Sequence, residues 1–172
     1  TVKPKTTAII YAKTKIPIVH SPVMGVHPHL QRDLKQFIKF IGPVNKISAK
    51  LAVSHFNKVG IKTKCLNSSE ETEIGKLLDT TYYGINIAFN KYAAGICAKE
   101  KLSFDNVYTV FNKVYNEGYR LTNPNVIRPI LKYQKGPIGG HCVIPNAEVL
   151  HNFRPSGLTK LLIQFNKKLQ KP

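Results

Sequence analysis

The segment best suited to chemistry is a run of small and reactive residues near the C-terminal end of the chain. Gly139 and Gly140 are followed directly by His141 and Cys142. Paired glycines let a backbone approach a ligand closely, and a cysteine beside a histidine can act as a thiolate nucleophile in an electropositive setting. The same residues also fit a buried structural cysteine on a tight turn, and taken alone they favour that second interpretation.

Three histidines in the first third of the chain suggest metal binding only weakly. His27 and His29 flank Pro28, and His20 precedes them. They lie among prolines, without cysteines at ligand spacing. We therefore predict no metal site.

The elements that would position these residues begin with alternating patterns. Strand-like apolar runs occur at 8–11, 16–20 and 61–66, and helical patterns at 30–40 and 46–59. The second half of the 30–40 segment could equally begin a strand, which Gly42-Pro43 would end. The strand–helix–strand order predicts an α/β segment over residues 1–69.

The remainder of the chain is predicted to be mainly helical. Ser68 or Ser69 can cap a long helix at 71–99, and Ser103 can cap a second helix at 103–117. Residues 121–147 are rich in Pro, Gly and Asn, which predicts a loop. A basic helix from Leu158 to Leu169 closes the chain.

Charge is concentrated at the two ends of the 172-residue chain. There are 26 Lys+Arg and 9 Asp+Glu, which gives a net charge of +17. Residues 1–69 carry +11, residues 70–120 carry −1 and residues 121–172 carry +7. Basic flanks of this kind attract polyanions, including nucleic acid. The alternative is a lysine-rich solvated surface.

Composition excludes several classes of protein. Hydrophobic residues make up 42% of the chain, more than a disordered basic tail would contain. No run approaches the roughly 18 apolar residues of a membrane span, so we predict none. Three cysteines cannot all pair within one chain, which favours a reducing, cytoplasmic location.

The order of motifs along residues 1–150 resembles the nucleotide-sugar dehydrogenases, the UDP-glucose/GDP-mannose dehydrogenase family. Glu73 and Lys76 match the family's Glu-x-x-Lys on a long helix, and Gly139 to Cys142 matches its Gly-Gly-x-Cys loop. The segment Thr1–Thr7 is similar to the turn Ser-Thr-Val-x-Pro-Gly-Thr-Thr that closes the family's cofactor domain, and Ser21-Pro22 follows in order.

The resemblance implies both a domain arrangement and an activity. It implies the tail of a Rossmann-like cofactor domain at 1–69, a helical central domain at 70–150 and a basic C-terminal helix at 151–172. Family enzymes oxidise the terminal CH₂OH of a nucleotide sugar to a carboxylate in two NAD-dependent steps, through a thiohemiacetal and a thioester on the cysteine.

Individual roles follow from the same resemblance. Cys142 corresponds to the nucleophile, Lys76 to the ammonium that stabilises the oxyanion, and Thr1 to a residue that positions water. The substrate-binding positions are Gly139, Gly140, His141 and Asn146. From the residues alone, Lys76 could also be a solvated helix lysine, and Thr1 a frayed chain start.

The chain departs from the family pattern at several positions. Val23 and Asn146 replace two carboxylates that would assist hydrolysis, Thr80 replaces an asparagine, and Pro137 replaces a glycine. No G-x-G-x-x-G occurs. We therefore expect a fragment or diverged short form that cannot bind NAD in the family manner by itself, and no turnover from this chain alone.

Two functions of different classes remain open. In the first, the chain handles a nucleotide sugar and forms a homodimer through the helices at 71–99 and 103–117. In the second, a dehydrogenase-derived fold serves as a basic structural or nucleic-acid-binding subunit.

Overall fold

Helices and short strands alternate in the first part of the chain, and helices alone make up the later part. The computed structural model describes residues 1–25 and 29–170. The chain forms two units. The first comprises Thr1–Asp79 and Val149–Pro155, and the second comprises Thr80–Glu148 and Ser156–Pro172. The domain boundaries predicted from the sequence stay predictions.

The first unit is organised around a three-stranded sheet. Its strands are β1 (Val19–His20), β2 (Lys39–Pro43) and β3 (Thr63–Cys65), with β2 in the centre. β2 pairs antiparallel with β1 and parallel with β3. A parallel pair needs a crossover connection, and α3 (Lys46–Lys58) supplies it. Asn45 caps that helix by accepting from the Ser48 N–H at 2.8 Å.

Two helices precede α3 in the first unit. α1 spans Thr6–Thr14 and α2 spans Leu30–Gln36. The strand-like prediction for residues 8–11 is therefore wrong, because these residues form the middle of α1. The sequence left open whether the second half of 30–40 is helix or strand, and the structure has a helix that is followed by β2. The helical pattern at 46–59 forms α3, in which Ile47 and Leu51 are exposed and Ser48 is buried.

The long helix α4 (Ser69–Lys99) contributes residues to both units. In the second unit it is followed by a π-helical stretch at Asp105–Val110, which continues as α5 (Phe111–Tyr119). α6 (Val143–Phe153) and α7 (Gly157–Leu169) complete the helices. The apolar core of this unit consists of Ala88, Ile138, Val143, Ala147 and Leu162.

Three helices of the second unit approach one another closely at Gly84. A Cβ at this position would lie 2.6 Å from Val143 Cγ1 and 3.0 Å from Leu162 Cδ2. Glycine is therefore required where α4 meets the first residue of α6 and the middle of α7.

The fold class predicted from the sequence, an α/β segment followed by a mainly helical part, is confirmed. The long helix and the closing basic helix form as predicted. The second helix extends past Gly118 to Tyr119, and the predicted loop at 121–147 ends early because α6 begins at Val143. Pro145 lies in the first turn of α6, where proline is tolerated because its missing N–H has no partner there. None of the described helices combines the length and apolar character needed to cross a membrane.

Candidate active site

The predicted site residues are divided between the two units. Thr1 and Lys76 belong to the first unit. The second unit contains Gly139, Gly140, His141, Cys142 and Asn146.

A bent loop leads to Cys142 in the second unit. Gly136 and Gly140 have φ angles of 89° and 87°, a left-handed conformation that favours glycine. Between them, Ile138 is buried in the core and its N–H donates to Asn166 Oδ1 at 2.7 Å. The loop is thus anchored at Ile138, and Gly139 to Cys142 remain exposed.

Cys142 stands at the N-terminal end of α6. Its carbonyl accepts from the Asn146 N–H at 2.9 Å, and the first helical residue follows directly. The positive end of a helix stabilises a nearby negative charge, such as that of a thiolate. The interpretation of Cys142 as a buried structural cysteine is wrong, because Cys142 is exposed. Cys97 is the buried cysteine.

Asn146 and Thr80, two positions at which the sequence departs from the family pattern, are bonded to each other. Asn146 Nδ2 donates to Thr80 Oγ1 at 2.9 Å, and both side chains are buried. A neutral amide–hydroxyl pair therefore lies one helical turn beyond Cys142. An amide can orient water, but it cannot accept a proton from it.

A cavity of about 380 Å³ borders the glycine loop. Tyr83, Ile87, Asn90 and Lys91 of α4 line one side, and the opposite side includes Lys132, Gly139 and Gly140. Asn90 and Lys91 were not predicted as site residues, because polar side chains on a long helix give no sequence signal for what they contact. Two lysines and two glycines are thus among the residues that line this cavity.

Lys91 is buried at the edge of this cavity, with an exposed fraction of 8%. Its Nζ donates to the carbonyl of Gln134 and, at 2.9 Å, to that of Gly136. The ammonium also lies 5.6 Å from the ring centre of Tyr133. Burial lowers the pKa of Lys91. The charge of Lys91 is thus satisfied by backbone carbonyls of the chain.

Lys76 lines a separate cavity in the first unit, with a volume of about 260 Å³. Asp79, one turn further along α4, and Glu71 line the same cavity, together with Pro22 and Met24. Lys76 is half-buried, so it is not a fully solvated helix lysine. Its predicted catalytic role stays a prediction.

Glu73, the other member of the Glu-x-x-Lys pattern, is fully buried and caps α1. Its carboxylate accepts from the Lys5 N–H at 2.6 Å, the Thr7 N–H at 2.9 Å and the Thr7 hydroxyl at 2.6 Å. A carboxylate at a helix N-terminus is stabilised by the helix dipole. Glu73 therefore fixes the turn that follows Thr1 against α4. Thr1 itself is exposed.

A buried lysine also supports the Ser-Pro turn of the first unit. Lys39 Nζ donates to the carbonyls of Ser21 at 3.3 Å and Pro22 at 3.1 Å, and its exposed fraction is 8%. Burial lowers the pKa of Lys39. Val23, which follows this turn where the family has a carboxylate, is exposed.

His20 lies beside the same part of α4. Its Nδ1 shares a hydrogen bond with Thr72 Oγ1 at 2.9 Å. Burial lowers the pKa of His20, although the negative charge of Glu73 opposes this effect. Within residues 1–25 and 29–170, no cluster of His, Cys, Asp or Glu could hold a metal ion. His27 and Pro28 of the histidine group lie outside the described residues.

Comparisons with known proteins extend along most of the chain. The UDP-N-acetyl-D-mannosamine dehydrogenase of Methanococcus maripaludis is 30% identical over 146 residues, which is 83% of this chain and 31% of the relative. The enzyme of the same name from Methanocaldococcus jannaschii is 29% identical over 147 residues, 83% of this chain and 32% of the relative. The chain is similar to nucleotide-sugar dehydrogenases over most of its own length. The resemblance inferred from the order of motifs is thereby confirmed.

Solved structures of this family share the fold. The UDP-D-ManNAc dehydrogenase from Pyrococcus horikoshii matches with a TM-score of 0.72 at 18% identity, over 97% of this chain and 40% of that one. A UDP-glucose dehydrogenase from Pyrobaculum islandicum matches with a TM-score of 0.75 at 16% identity, over 98% of this chain and 40% of that one. No family model matches the chain. The chain spans about a third of the length of the curated relatives it matches.

Family enzymes depend on NAD, which a dinucleotide cradle holds at a glycine-rich turn between a strand and a helix. The sequence contains no G-x-G-x-x-G. β2 is followed by Val44-Asn45 and β3 by Leu66-Asn67-Ser68, which contain no glycine, so neither of these strands leads into such a turn.

Proposed function

We propose that this chain carries the reactive thiol and the sugar-nucleotide pocket of a nucleotide-sugar dehydrogenase. The observation that carries the proposal is the exposed Cys142 at the start of α6, reached by a glycine loop that borders a cavity. The names of the curated relatives make UDP-N-acetyl-D-mannosamine the first substrate to test.

The chemistry that we assign to Cys142 is addition to the aldehyde derived from the sugar's terminal CH₂OH. A lone pair on Sγ forms the C–S bond, the carbonyl π electrons move to oxygen, and that oxygen takes up a proton to give a thiohemiacetal. Oxidation of this species to a thioester needs a hydride acceptor. Because the sequence has no G-x-G-x-x-G and neither β2 nor β3 leads into a glycine-rich turn, we expect no turnover by this chain alone.

Later hydrolysis of a thioester would receive little help from Asn146. Asn146 cannot accept a proton from an attacking water, and its amide is bonded to Thr80. Lys76 stays our predicted oxyanion-stabilising residue, and Thr1 our predicted water-positioning residue.

We assign the diphosphate of the nucleotide sugar to the cavity beside the loop. Lys132 is exposed at its rim, and Gly139 and Gly140 bring backbone N–H groups close to it. Lys91 is less available to bind phosphate, because its ammonium already donates to two carbonyls of the chain. Lys132 is therefore the cation that we expect to contact phosphate.

The test is a titration of the ¹⁵N-labelled chain with UDP-N-acetyl-D-mannosamine, with UDP and with uridine. We expect amide shifts at Gly139 and Gly140 with the first two ligands and none with uridine. The change Lys132→Gln should weaken UDP binding about fivefold, the loss of roughly 1 kcal/mol from one phosphate contact. Lys135→Gln, an exposed lysine that does not line the cavity, is the matched control. Equal weakening by both variants, or no shifts, would contradict the assignment.

A second copy of the chain is our proposed protein partner. α4 exposes an apolar stripe at helical spacing, formed by Tyr82, Phe89, Tyr92 and Ile96, and α5 exposes Phe111, which is 74% exposed. A groove of about 670 Å³ between α4 and α7 continues from this stripe. Large exposed apolar surfaces of this kind mark interaction sites.

Light scattering at micromolar concentration tests the partner proposal. We expect a mass near twice 19.3 kDa. Phe89→Asp should shift the protein to the monomer, because a charge cannot be buried in an apolar interface at low cost. Ile9→Asp, at an exposed position on α1, should leave the dimer intact. A monomeric wild-type chain would contradict this proposal.

Binding of nucleic acid is the second candidate function, and the net charge of +17 favours it. Neutralised phosphates release counterions, so the affinity for mixed DNA or RNA should fall steeply as salt rises from about 50 to 200 mM. An affinity that does not change with salt, or the absence of binding, would contradict this second candidate and leave the dehydrogenase-related function as the proposal.

A further inference from the structure

The segment between α5 and α6, residues 121–142, has the least regular structure of the second unit, and we call it the strap. Only the short 3₁₀ turn at Pro124–Val126 interrupts its irregular backbone among the described residues. An irregular backbone cannot satisfy its N–H and C=O groups through a helix or sheet ladder. Water can satisfy the exposed groups, so side chains of other elements are needed where the strap packs against them and keeps one conformation.

Side chains from the surrounding helices bind the strap in the order of its sequence. Along the strap, the pairs are Asn116 with Arg128, Tyr108 with Pro129 and Leu131, Asn90 with Leu131, Lys91 with Gln134 and Gly136, and Asn166 with Ile138. Lys91 differs from the other four because it is charged and binds two carbonyls at once. Its two partners, Gln134 and Gly136, form the bend at which the glycine loop begins.

The bend at Gln134–Gly136 places two carbonyl dipoles near one point. Carbonyl oxygens that converge in this way repel each other unless a cation lies between them, and Lys91 Nζ provides that cation. Gly136 has a φ of 89°, so the chain turns sharply at the second carbonyl. Without the ammonium, two partly buried acceptors would lose their protein partner, which favours opening of the bend.

We propose that Lys91 is a positioning residue that holds this bend closed and thereby fixes the loop from Gly139 to Cys142. The proposal rests on the proposed function in one respect, since it takes that loop to carry the reactive thiol. Lys91 acts through the backbone of the strap.

The first test compares Lys91→Met with Lys39→Met by hydrogen exchange. Lys39 is the matched control because it is equally buried and also binds two carbonyls, but in the first unit. We expect Lys91→Met to raise exchange of the Ile138 amide about tenfold or more, with increases confined to residues 134–142. Lys39→Met should leave these amides unchanged. Unchanged exchange in Lys91→Met, or an increase spread over the whole second unit, would overturn the proposal.

The second measurement separates this proposal from the proposed function. In wild type, the ratio of iodoacetamide labelling rates at Cys142 and Cys65 reports whether Cys142 is activated. In Lys91→Met that ratio should fall towards one, while the buried Cys97 stays protected and so shows that the unit remains folded. If Cys142 labels no faster than Cys65 in wild type, the proposed function fails, whereas the hydrogen-exchange result still decides the role of Lys91.

The third measurement needs no variant and therefore applies even if Lys91→Met does not fold. A lysine ammonium held by two carbonyls exchanges its protons slowly with water, so the Lys91 Nζ should give a resolved ¹⁵N signal near neutral pH. Scalar coupling from this nitrogen to the carbonyl carbons of Gln134 and Gly136 is the expected result. Exchange as fast as at the exposed Lys132 would overturn the proposal.

Discussion

Lys39 in the first unit and Lys91 in the second each bury an ammonium beneath two backbone carbonyls of a bend. Lys39 Nζ lies 3.1 Å from the Pro22 oxygen, and Lys91 Nζ lies 2.9 Å from the Gly136 oxygen. The two bends differ in the secondary structure that adjoins them. The Ser21-Pro22 turn follows directly on β1, whereas the bend at 134–136 lies within the irregular strap. The same interaction therefore adds to the stability of a sheet in one unit and determines where a loop lies in the other.

The two units also differ in the groups that serve as partners of their buried polar atoms. The first unit buries the carboxylate of Glu73 with three donors from the start of α1. In the second unit, the Ile138 N–H donates to the neutral amide of Asn166, and Ile138 belongs to a contiguous apolar core. Loss of the Glu73 carboxylate should therefore cost more than loss of the Asn166 amide.

The largest expected effect comes from Glu73→Ala. Three buried donors would lose their acceptor, which should lower the free energy of unfolding by about 3 kcal/mol or more. Glu73→Gln is the matched control, because its amide oxygen can still accept from both groups of Thr7, and it should cost about half as much. Urea unfolding measures both values. A loss below about 1 kcal/mol for Glu73→Ala would mean that water replaces the carboxylate.

Asn166→Ala is the corresponding change in the second unit. It removes the acceptor of the Ile138 N–H and should cost about 1–2 kcal/mol, the value for one buried hydrogen bond. Urea unfolding and exchange of the Ile138 amide both report it. A cost equal to that of Glu73→Ala would remove the proposed difference between the units.

A dependence of stability on pH is expected from His20. Burial lowers its pKa in the folded state below the unfolded value of about 6.5. The unfolded chain therefore binds the proton more readily, so stability is complete above about pH 6.5 and is lost as the pH falls through the folded pKa. Thermal unfolding between pH 7.5 and 5 should show this loss in wild type and less of it in His20→Gln. His141→Gln, at an exposed position, should behave as wild type does.

The smallest expected effect comes from Lys5→Gly. Lys5 has a φ of 74° at the position where the family's turn has glycine. A left-handed conformation costs a non-glycine residue about 1–2 kcal/mol, and the greater freedom of unfolded glycine offsets about half of that. We expect a gain of about 0.5 kcal/mol in thermal unfolding. Lys101→Gly, at a φ of 55° in the second unit, should give a similar gain, and a loss in either variant would contradict the explanation.

Much of the fold could be predicted because its signals are local. α4 and α7 have capping residues and apolar periodicity within their own sequence, and β2, α3 and β3 follow a common order. α1 could not be predicted, because the carboxylate that caps it comes from Glu73, 66 residues from Thr7. α6 was missed because Pro145 suggests a loop until its place in the first helical turn is known.

The candidate site divides in the same way between local and distant signals. Residue types and motif order point to Gly139 to Cys142 as candidates, and their role stays a prediction. Asn90 and Lys91 could not be identified in this way, because their carbonyl partners lie 41 to 45 residues away on a segment without a pattern of its own. Whether Cys142 is buried also could not be deduced, because a glycine turn is compatible with either outcome.

The measurement that tests the central claim most directly is the rate at which iodoacetamide labels each cysteine near pH 7, followed by mass spectrometry. Cys65 and Cys142 are both exposed and Cys97 is buried, so Cys65 serves as the control for access. If the loop and the start of α6 activate the thiol, Cys142 should react at least about tenfold faster than Cys65, and Cys97 should react slowest. Equal rates at Cys65 and Cys142 would contradict the assignment of Cys142 as the nucleophile.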